Sequence, residues 1–305
     1  MMSSSVMLKA AQAIAQENSI DPVSDIAHNY DRYFASQLYD QRYPGPNPSS
    51  LGVVIREIRQ GRTRVLDLGC GNGRYAAPLL ERTDAKIVAC DISREAIDEL
   101  SSRCAEHVRT GRLQPVYGDP SVLADVIGEG ERFDLAIMMF GVLGHIFSHA
   151  LRQKTLATVR NLLRPGGRLV VTVPNAARRF LERQITVRRL VREGRLEPGD
   201  VLYERATGDG AVKMYYHLYA LAEFVLELEQ GGFRPIQLHA ESVLPESGVV
   251  RSIPLRWIDR ILTAVLPLRC AYGFLAVAEA APELASRVTN TPCAADDGRR
   301  DRPSG

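Results

Sequence analysis

The stretch "VLDLGCGNGRYAAPLL", Val65 to Leu80, hands an apolar run over to a helix through three glycines. Val65, Leu66 and Leu68 have the character of a strand, and Tyr75 to Leu80 that of a helix start. Gly69, Gly71 and Gly73 occupy every second position between them, just behind Asp67. Glycine reaches positive φ without steric cost and leaves room where a Cβ would stand. A turn of this kind at a helix start also offers unpaired N–H groups, so the stretch reads as a bed for a ligand. Its charge narrows the choice. A dinucleotide fingerprint wants a sixth-position glycine where this chain has Arg74, and Asp67 would repel a pyrophosphate. A free ammonium group suits that acid better.

Outward from this turn the chain alternates strand-like and helix-like segments. Strands are expected at 64–68, 86–90, 114–117, 133–139 and 168–173, with helices at 74–82, 93–107, 121–127 and 149–163 between them. The last of these helices runs into "RPGG", a stop signal of Pro and Gly. Apolar runs separated by helices argue for a parallel sheet covered on both faces. After Pro174 the rhythm breaks: residues 176–214 carry nine Arg or Lys against six Asp or Glu and suggest no clear strand. A helix at 220–230, a strand in "GGFRPIQLHAES" and a final strand at 271–278 resume the pattern. No long helix separates the last two strands, so that pair is expected to be antiparallel.

Several pieces in one order carry a resemblance. "VLDLGCGNGRY" resembles the first motif of class I S-adenosylmethionine-dependent methyltransferases, and the likeness runs over roughly residues 62–240. "KIVACDIS" ends a second strand in Asp91, "VYGDP" ends a third in Asp119, and "FDLAIMMFGVLGHI" and "LLRPGGRLVVTVPN" are similar to the family's fourth and fifth strands. The resemblance implies an α/β, Rossmann-like, doubly wound and mostly parallel seven-stranded sheet with an antiparallel last strand. It implies a methyltransferase domain over 61–286 with an acceptor-side insert at 176–214; residues 1–60 look helical and read as an N-terminal cap, and 287–305, rich in Arg, Asp, Pro and Gly, as a disordered tail.

It further implies S-adenosyl-L-methionine as cofactor. The donor-binding positions carried over are Asp67, Gly69, Cys70, Gly71, Gly73, Asp91, Ile92, Asp119 and Phe140. Asp91 would accept from both ribose hydroxyls, a task for which an ionised carboxylate is suited. Asp119 would meet the adenine amino group, yet Pro120 behind it has no N–H, and Asp119 as the cap of a following helix is an equal alternative. His145, in the loop after the fourth strand, is the candidate base, with a structural histidine as the other reading. Tyr30 and Tyr39 in "NYDRYFASQLYDQRYP" would cover the donor, and Tyr215, Tyr216 and His217 would line the acceptor pocket or anchor a lid, the anchoring role being the plainer.

For the acceptor, an O or N nucleophile of a small molecule is preferred. A tRNA wobble uridine is the alternative, because "YYHLYALAEFVLELEQGGF" is similar to segments of such enzymes. Arg178, Arg179, Arg183, Arg188, Arg189, Arg192 and Arg195 could then contact phosphates, although Glu182, Glu193, Glu197 and Asp200 are interleaved with them. A third reading is a donor-binding regulatory subunit without catalysis. No metal is implied, and oligomeric state is open.

Bulk properties fit an ordinary globular chain. There are 305 residues, 45% hydrophobic and 24% charged, with a formal charge of +2 that does not by itself imply nucleic acid or membrane. Five cysteines show no C-x-x-C pair, which suggests reduced thiols and a cytoplasmic location. The N-terminus lacks the apolar core of a secretory signal. Residues 261–280 are apolar enough to test as a span, but Pro267 and Arg269 near the middle argue against stable insertion. Within "IPLRWIDRILTAVLP", Leu255, Ile258, Ile261, Leu262 and Val265 repeat at helical spacing. That helix is expected to wall the acceptor side. Packing against the sheet is the plainer alternative, and a dimer contact or membrane surface the third.

Overall fold

Alternation along the first strand decides how the layers form. In β1 (Arg64–Leu68), Leu66 and Leu68 pack with one apolar cluster while Val65 packs with another on the opposite face. Successive strand residues point to opposite faces, so both faces of such a strand are buried when helices cover both. The computed structural model describes residues 26–128, 130–207 and 210–281. The expected disordered tail at 287–305 lies outside them.

The other strands are β2 (Lys86–Asp91), β3 (Leu113–Tyr117), β4 (Phe133–Met138), β5 (Leu163–Pro174), β6 (Asp200–Thr207), β7 (Gly210–His217), β8 (Phe233–Ser242) and β9 (Gly273–Ala280). Seven of them form one sheet in the order β3-β2-β1-β4-β5-β9-β8. The pairs β3/β2, β2/β1, β1/β4 and β4/β5 are parallel, and β9 runs against both β5 and β8. The expected mostly parallel sheet with an antiparallel last strand is what forms. β5 begins earlier than expected: "RPGG" is taken into the strand with Gly166 at φ 73°, and the β4/β5 register shifts between Phe133 and Leu135.

Strand order reverses between β1 and β4, so the carboxyl ends of β1, β2 and β4 open around one crevice, the usual ligand position in open α/β sheets. Two parts of the N-terminal region behave differently there. Helix Pro48–Arg59, capped by Asn47, buries Val54 and Ile58 in the core on one sheet face and belongs to the layer itself. Helix Ile26–Ala35 lies over the crevice instead. Ser93 Oγ donates to Asp31 Oδ1 at 2.7 Å beyond β2, and Asn29 Nδ2 donates to the Lys213 carbonyl at 3.0 Å in β7.

The insert corrects the sequence reading, which saw no clear strand there. β6 and β7 pair as an antiparallel hairpin in full register from Asp200↔His217 to Thr207↔Gly210. Val201, Tyr203, Val212, Met214 and Tyr216 turn inward to join Tyr33, Phe34, Tyr39 and Tyr43 of the N-terminal helices in one cluster.

Helix Ile253–Val265 forms where the periodicity predicts, with Ser252 as cap, but it walls nothing. Its one buried residue is Asp259, whose Oδ1 accepts from the N–H groups of Val243 and Leu244 at 2.8 Å each. Trp257 (59% exposed), Ile258 (47%) and Ile261 (61%) face outward, so neither the acceptor wall nor sheet packing holds for this face. Ile258→Asp is therefore expected to leave folding intact, within about 0.5 kcal/mol of wild type in denaturant unfolding, the usual range for surface changes. Loss of the folded state would contradict this placement. Among the described residues no helix is long and apolar enough to cross a membrane.

Candidate active site

The crevice is a cavity of about 180 Å³ enclosed by four groups of residues. The glycine turn after β1 supplies Asp67, Gly69, Cys70 and Gly71, and the end of β2 supplies Asp91 and Ile92. Phe140, Val142 and His145 come from the segment after β4. Tyr30, Phe34, Tyr39, Tyr43, Tyr203 and Tyr216 close it from the N-terminal helices and the hairpin.

The glycines act in two ways. A Cβ on Gly69 (φ 70°) would stand 2.5 Å from the Val142 side chain, and one on Gly73 (φ 86°) would collide with Leu100. These two make room for the protein's own packing. Gly71 (φ 52°) turns its N–H to Asp91 Oδ2 at 2.8 Å, while Ser93 N–H donates to Asp91 Oδ1 at 2.9 Å. Burial raises the Asp91 pKa, and those two donors work against the rise. Each carboxylate oxygen keeps a further lone pair for a ligand donor.

Asp67 is almost wholly buried on the same wall. Its Oδ2 has no hydrogen-bond partner among the described residues, and burial, with the neighbouring Asp91 charge, pushes its pKa up to about 8. An unpartnered buried acid is costly to ionise unless a cation arrives.

After β4, Phe140 takes a left-handed backbone (φ 63°) and Gly141 N–H donates to Thr172 Oγ1 at 3.2 Å. A bulky residue at positive φ is rare, and such strain is concentrated at functional sites. His145 Nδ1–H donates to the Tyr215 carbonyl at 2.9 Å, so Nε2 keeps its lone pair. The ring stacks on Tyr216 at 4.0 Å and meets Tyr30 edge-on at 5.7 Å. Burial lowers its pKa to about 4, so it is neutral at physiological pH.

Three sequence candidates stand outside the cavity lining: Asp119, His217 and Gly73, the last of which packs against Leu100. Asp119 does not line the cavity; its carboxylate caps the turn Pro120–Val122 by accepting from Ser121 N–H at 2.7 Å. His217 is also outside, held between Asp200 Oδ1 (2.7 Å) and Glu223 Oε1 (3.0 Å). Burial opposes its charge, but these two bonds outweigh burial and raise its pKa. Tyr215 OH donates to the same Asp200 oxygen at 2.7 Å. Thus His217 and Tyr215 anchor the hairpin, and Tyr216 alone of the three lines the cavity. Glu197, Asp200 and His217 bring possible metal ligands within 4.8 Å of one another, but Arg152, 2.8 Å from Glu197 and 3.2 Å from Glu227, already supplies a cation there.

Sequence reasoning did not bring the arginines to the cavity, and named Arg179 only as one of several possible phosphate contacts. Arg74 pairs with Glu246 at 2.8 Å, with both side chains buried, and its guanidinium lies 4.2 Å from the Phe140 ring centre. Arg179 and Arg205 also line the cavity. Arg74 stood in view as the residue that spoils the dinucleotide fingerprint, whereas no sequence signal separated Arg179 from the surface arginines beside it.

The sheet order, with its glycine turn facing a buried acid at the switch point, is that of a class I methyltransferase domain. Residues 65–167 match the family described as a methyltransferase domain. The CcbJ methyltransferase from Streptomyces caelestis shares the fold, at 20% identity and a TM-score of 0.57, over 85% of this chain and 100% of its own. The O-methyltransferase cnsE of Penicillium expansum is 30% identical over 108 residues, 35% of this chain and 36% of its own. A probable non-canonical nonribosomal peptide synthetase, CymA of Salinispora arenicola, is 28% identical over 186 residues, 54% of this chain. The chain spans only a part of these curated relatives, 36% of the Penicillium protein and 2% of the Salinispora one.

The residues present fit the donor. Asp91 offers a carboxylate to a diol, and the orphaned Asp67 Oδ2 suits an ammonium group.

Proposed function

We propose that this chain transfers a methyl group from S-adenosylmethionine to an O or N nucleophile of a small molecule. The observation that carries the reading is the pair of buried acids, Asp67 and Asp91, on one wall of a cavity that aromatic rings of the N-terminal helices and the hairpin close from the other side. When bound, the donor supplies a methyl on a sulfonium; the nucleophile's lone pair forms the new bond while the C–S pair stays on sulfur. The chain's own part is to hold Asp91 open to the ribose through Gly71 and Ser93, and to match Asp67 to the ammonium. Cys70, Ile92 and Phe140 complete the donor walls, while Asp119 has its carboxylate engaged as a cap and is dropped from the set.

His145 Nε2 takes the proton from the nucleophile, and Tyr30, on the cap helix, presses its ring edge against that imidazole. His217 has no part at the reacting atoms. Closure by helix Ile26–Ala35 and the hairpin excludes water, which strengthens every charge interaction inside. A tRNA acceptor has less support. Arg189 and Arg195 are turned to Glu193, and Arg178 Nη1 donates to the Cys270 carbonyl at 3.2 Å.

Two tests follow. Methyl-labelled S-adenosylmethionine, given to the purified protein with a cell extract, should leave label in the small-molecule fraction; label confined to RNA or protein would overturn the acceptor reading. Donor affinity should also trace a bell against pH. Below about 8 Asp67 is protonated in the free protein and must lose its proton to meet the ammonium, so affinity falls by up to tenfold per unit. Above about 8 the donor's own α-amino group loses its charge. Asp67→Asn should flatten the acid limb, and an acid limb unchanged in that variant would contradict the pairing.

A further inference from the structure

A second cavity, of about 190 Å³, adjoins the first and shares Tyr43, Phe140, Arg179 and Arg205 with it. Arg42, Phe180, Glu246, Ser247 and Tyr272 complete its wall. Its charges are unequal. Glu246 is the only carboxylate in that lining, and it is engaged by Arg74 from the glycine turn. Arg42 Nε donates to Tyr43 OH at 3.0 Å, and Arg205 lies 4.7 Å from the Tyr203 ring centre. Arg179 touches three rings, Phe180, Tyr216 and Tyr272, at 4.9–5.6 Å from their centres. Its Nε is buried without a hydrogen-bond partner among the described residues.

A guanidinium held by rings rather than by an acid keeps its donor fork for a planar anion. Cation–π contact stabilises the charge in place without consuming those donors. Phe140, Phe180, Tyr43 and Tyr272 add flat apolar walls, which favour a ring over a compact tetrahedral anion.

We propose that the second cavity holds the acceptor's anchoring end, an aromatic carboxylate whose carboxyl group meets Arg179 and Arg205 and is not itself methylated. This rests on the methyl-transfer reading above and names the substrate class within it. Arg42 at the mouth draws the anion in, and Glu246, paired with Arg74, sets the edge of the basic zone. The nucleophile then projects through the shared wall at Phe140 toward His145 in the first cavity. A carboxylate anchored on the arginine side also offsets the positive charge that the donor brings.

The test uses calorimetry on the full chain saturated with S-adenosylhomocysteine, with benzoate, benzamide and inorganic phosphate as probes. Benzoate and benzamide have nearly the same shape and differ in charge. Benzoate is expected to bind at least tenfold more tightly than benzamide and than phosphate. The R179Q/R205Q variant should lose that preference. Equal binding of benzoate and benzamide, or a preference that survives in the variant, would overturn the proposal. Phosphate binding as tightly as benzoate would remove the aromatic body from it. A large loss of S-adenosylhomocysteine affinity in R179Q/R205Q, with the fold intact by circular dichroism, would assign the arginines to the donor's own carboxylate and overturn the acceptor anchor. Failure of S-adenosylhomocysteine to bind wild type sinks the donor reading alone, because the probes can then be compared on the free protein.

Discussion

His145→Asn is expected to lower kcat for methyl transfer by about 10²–10⁴-fold, the contribution typical of a positioned acid or base. Asparagine can still donate to the Tyr215 carbonyl that His145 Nδ1 bonds at 2.9 Å, so the support of the loop survives while the basic nitrogen is lost. KM for the donor should change little, because the ring stacks on Tyr216 and meets Tyr30 edge-on rather than touching the acids of the donor wall. With the His145 pKa pushed down to about 4 by burial, the wild-type profile should show no acid limb from this residue near 6.5. Steady-state kinetics of the two proteins across pH 5–9 checks all three statements, a range that brackets the unperturbed histidine value of about 6.5. Activity restored in His145→Asn would reduce the residue to a positioning role.

Asp91→Ala is expected to weaken donor affinity by about 1.5–3 kcal/mol, or roughly 10–150-fold, the scale for hydrogen bonds to a charged group. The substitution also releases the Gly71 and Ser93 N–H groups, which hold the carboxylate at 2.8 and 2.9 Å. Part of the loss will therefore come from a looser glycine turn. Asp91→Asn separates the two contributions, since its amide oxygen can keep one of those donors but cannot grip a diol as a carboxylate does. Calorimetric titration with S-adenosylhomocysteine reads both variants, and an unchanged affinity in Asp91→Ala would mean that the ribose lies elsewhere.

Much of the donor side was legible because it is written locally. An apolar strand, glycines at fixed offsets and an acid at a strand end are features of short segments, and β1, β2 and the turn follow from them. The hairpin β6–β7 was missed although a signal existed: inward Val201 and Tyr203 on one strand and Val212 and Met214 on the other alternate, and the sequence between the strands reads Gly-Asp, a turn-forming dipeptide.

Other features depend on distant partners and leave no local mark. The periodicity of 253–265 gave the helix and its apolar stripe, but periodicity cannot say which side the protein covers. Here Asp259 is the docking residue and the stripe is left outside. His217 and Tyr216 are neighbours on one strand, yet the strand alternation sends one to Asp200 and the other to the cavity. Asp119 forms the cap that the sequence offered, accepting from Ser121 N–H at the start of the turn that Pro120 opens.

The central claim is that the acid pair of the crevice makes this a donor site for S-adenosylmethionine. Isothermal titration of the purified chain with S-adenosylhomocysteine near pH 8 tests it most directly, because Asp67 and the ligand's α-amino group can both be charged there. The account predicts one site per chain, with proton release on binding below that pH, seen as heat that varies with the buffer's ionisation enthalpy. No binding of S-adenosylhomocysteine or S-adenosylmethionine, together with a response to NAD, would contradict it.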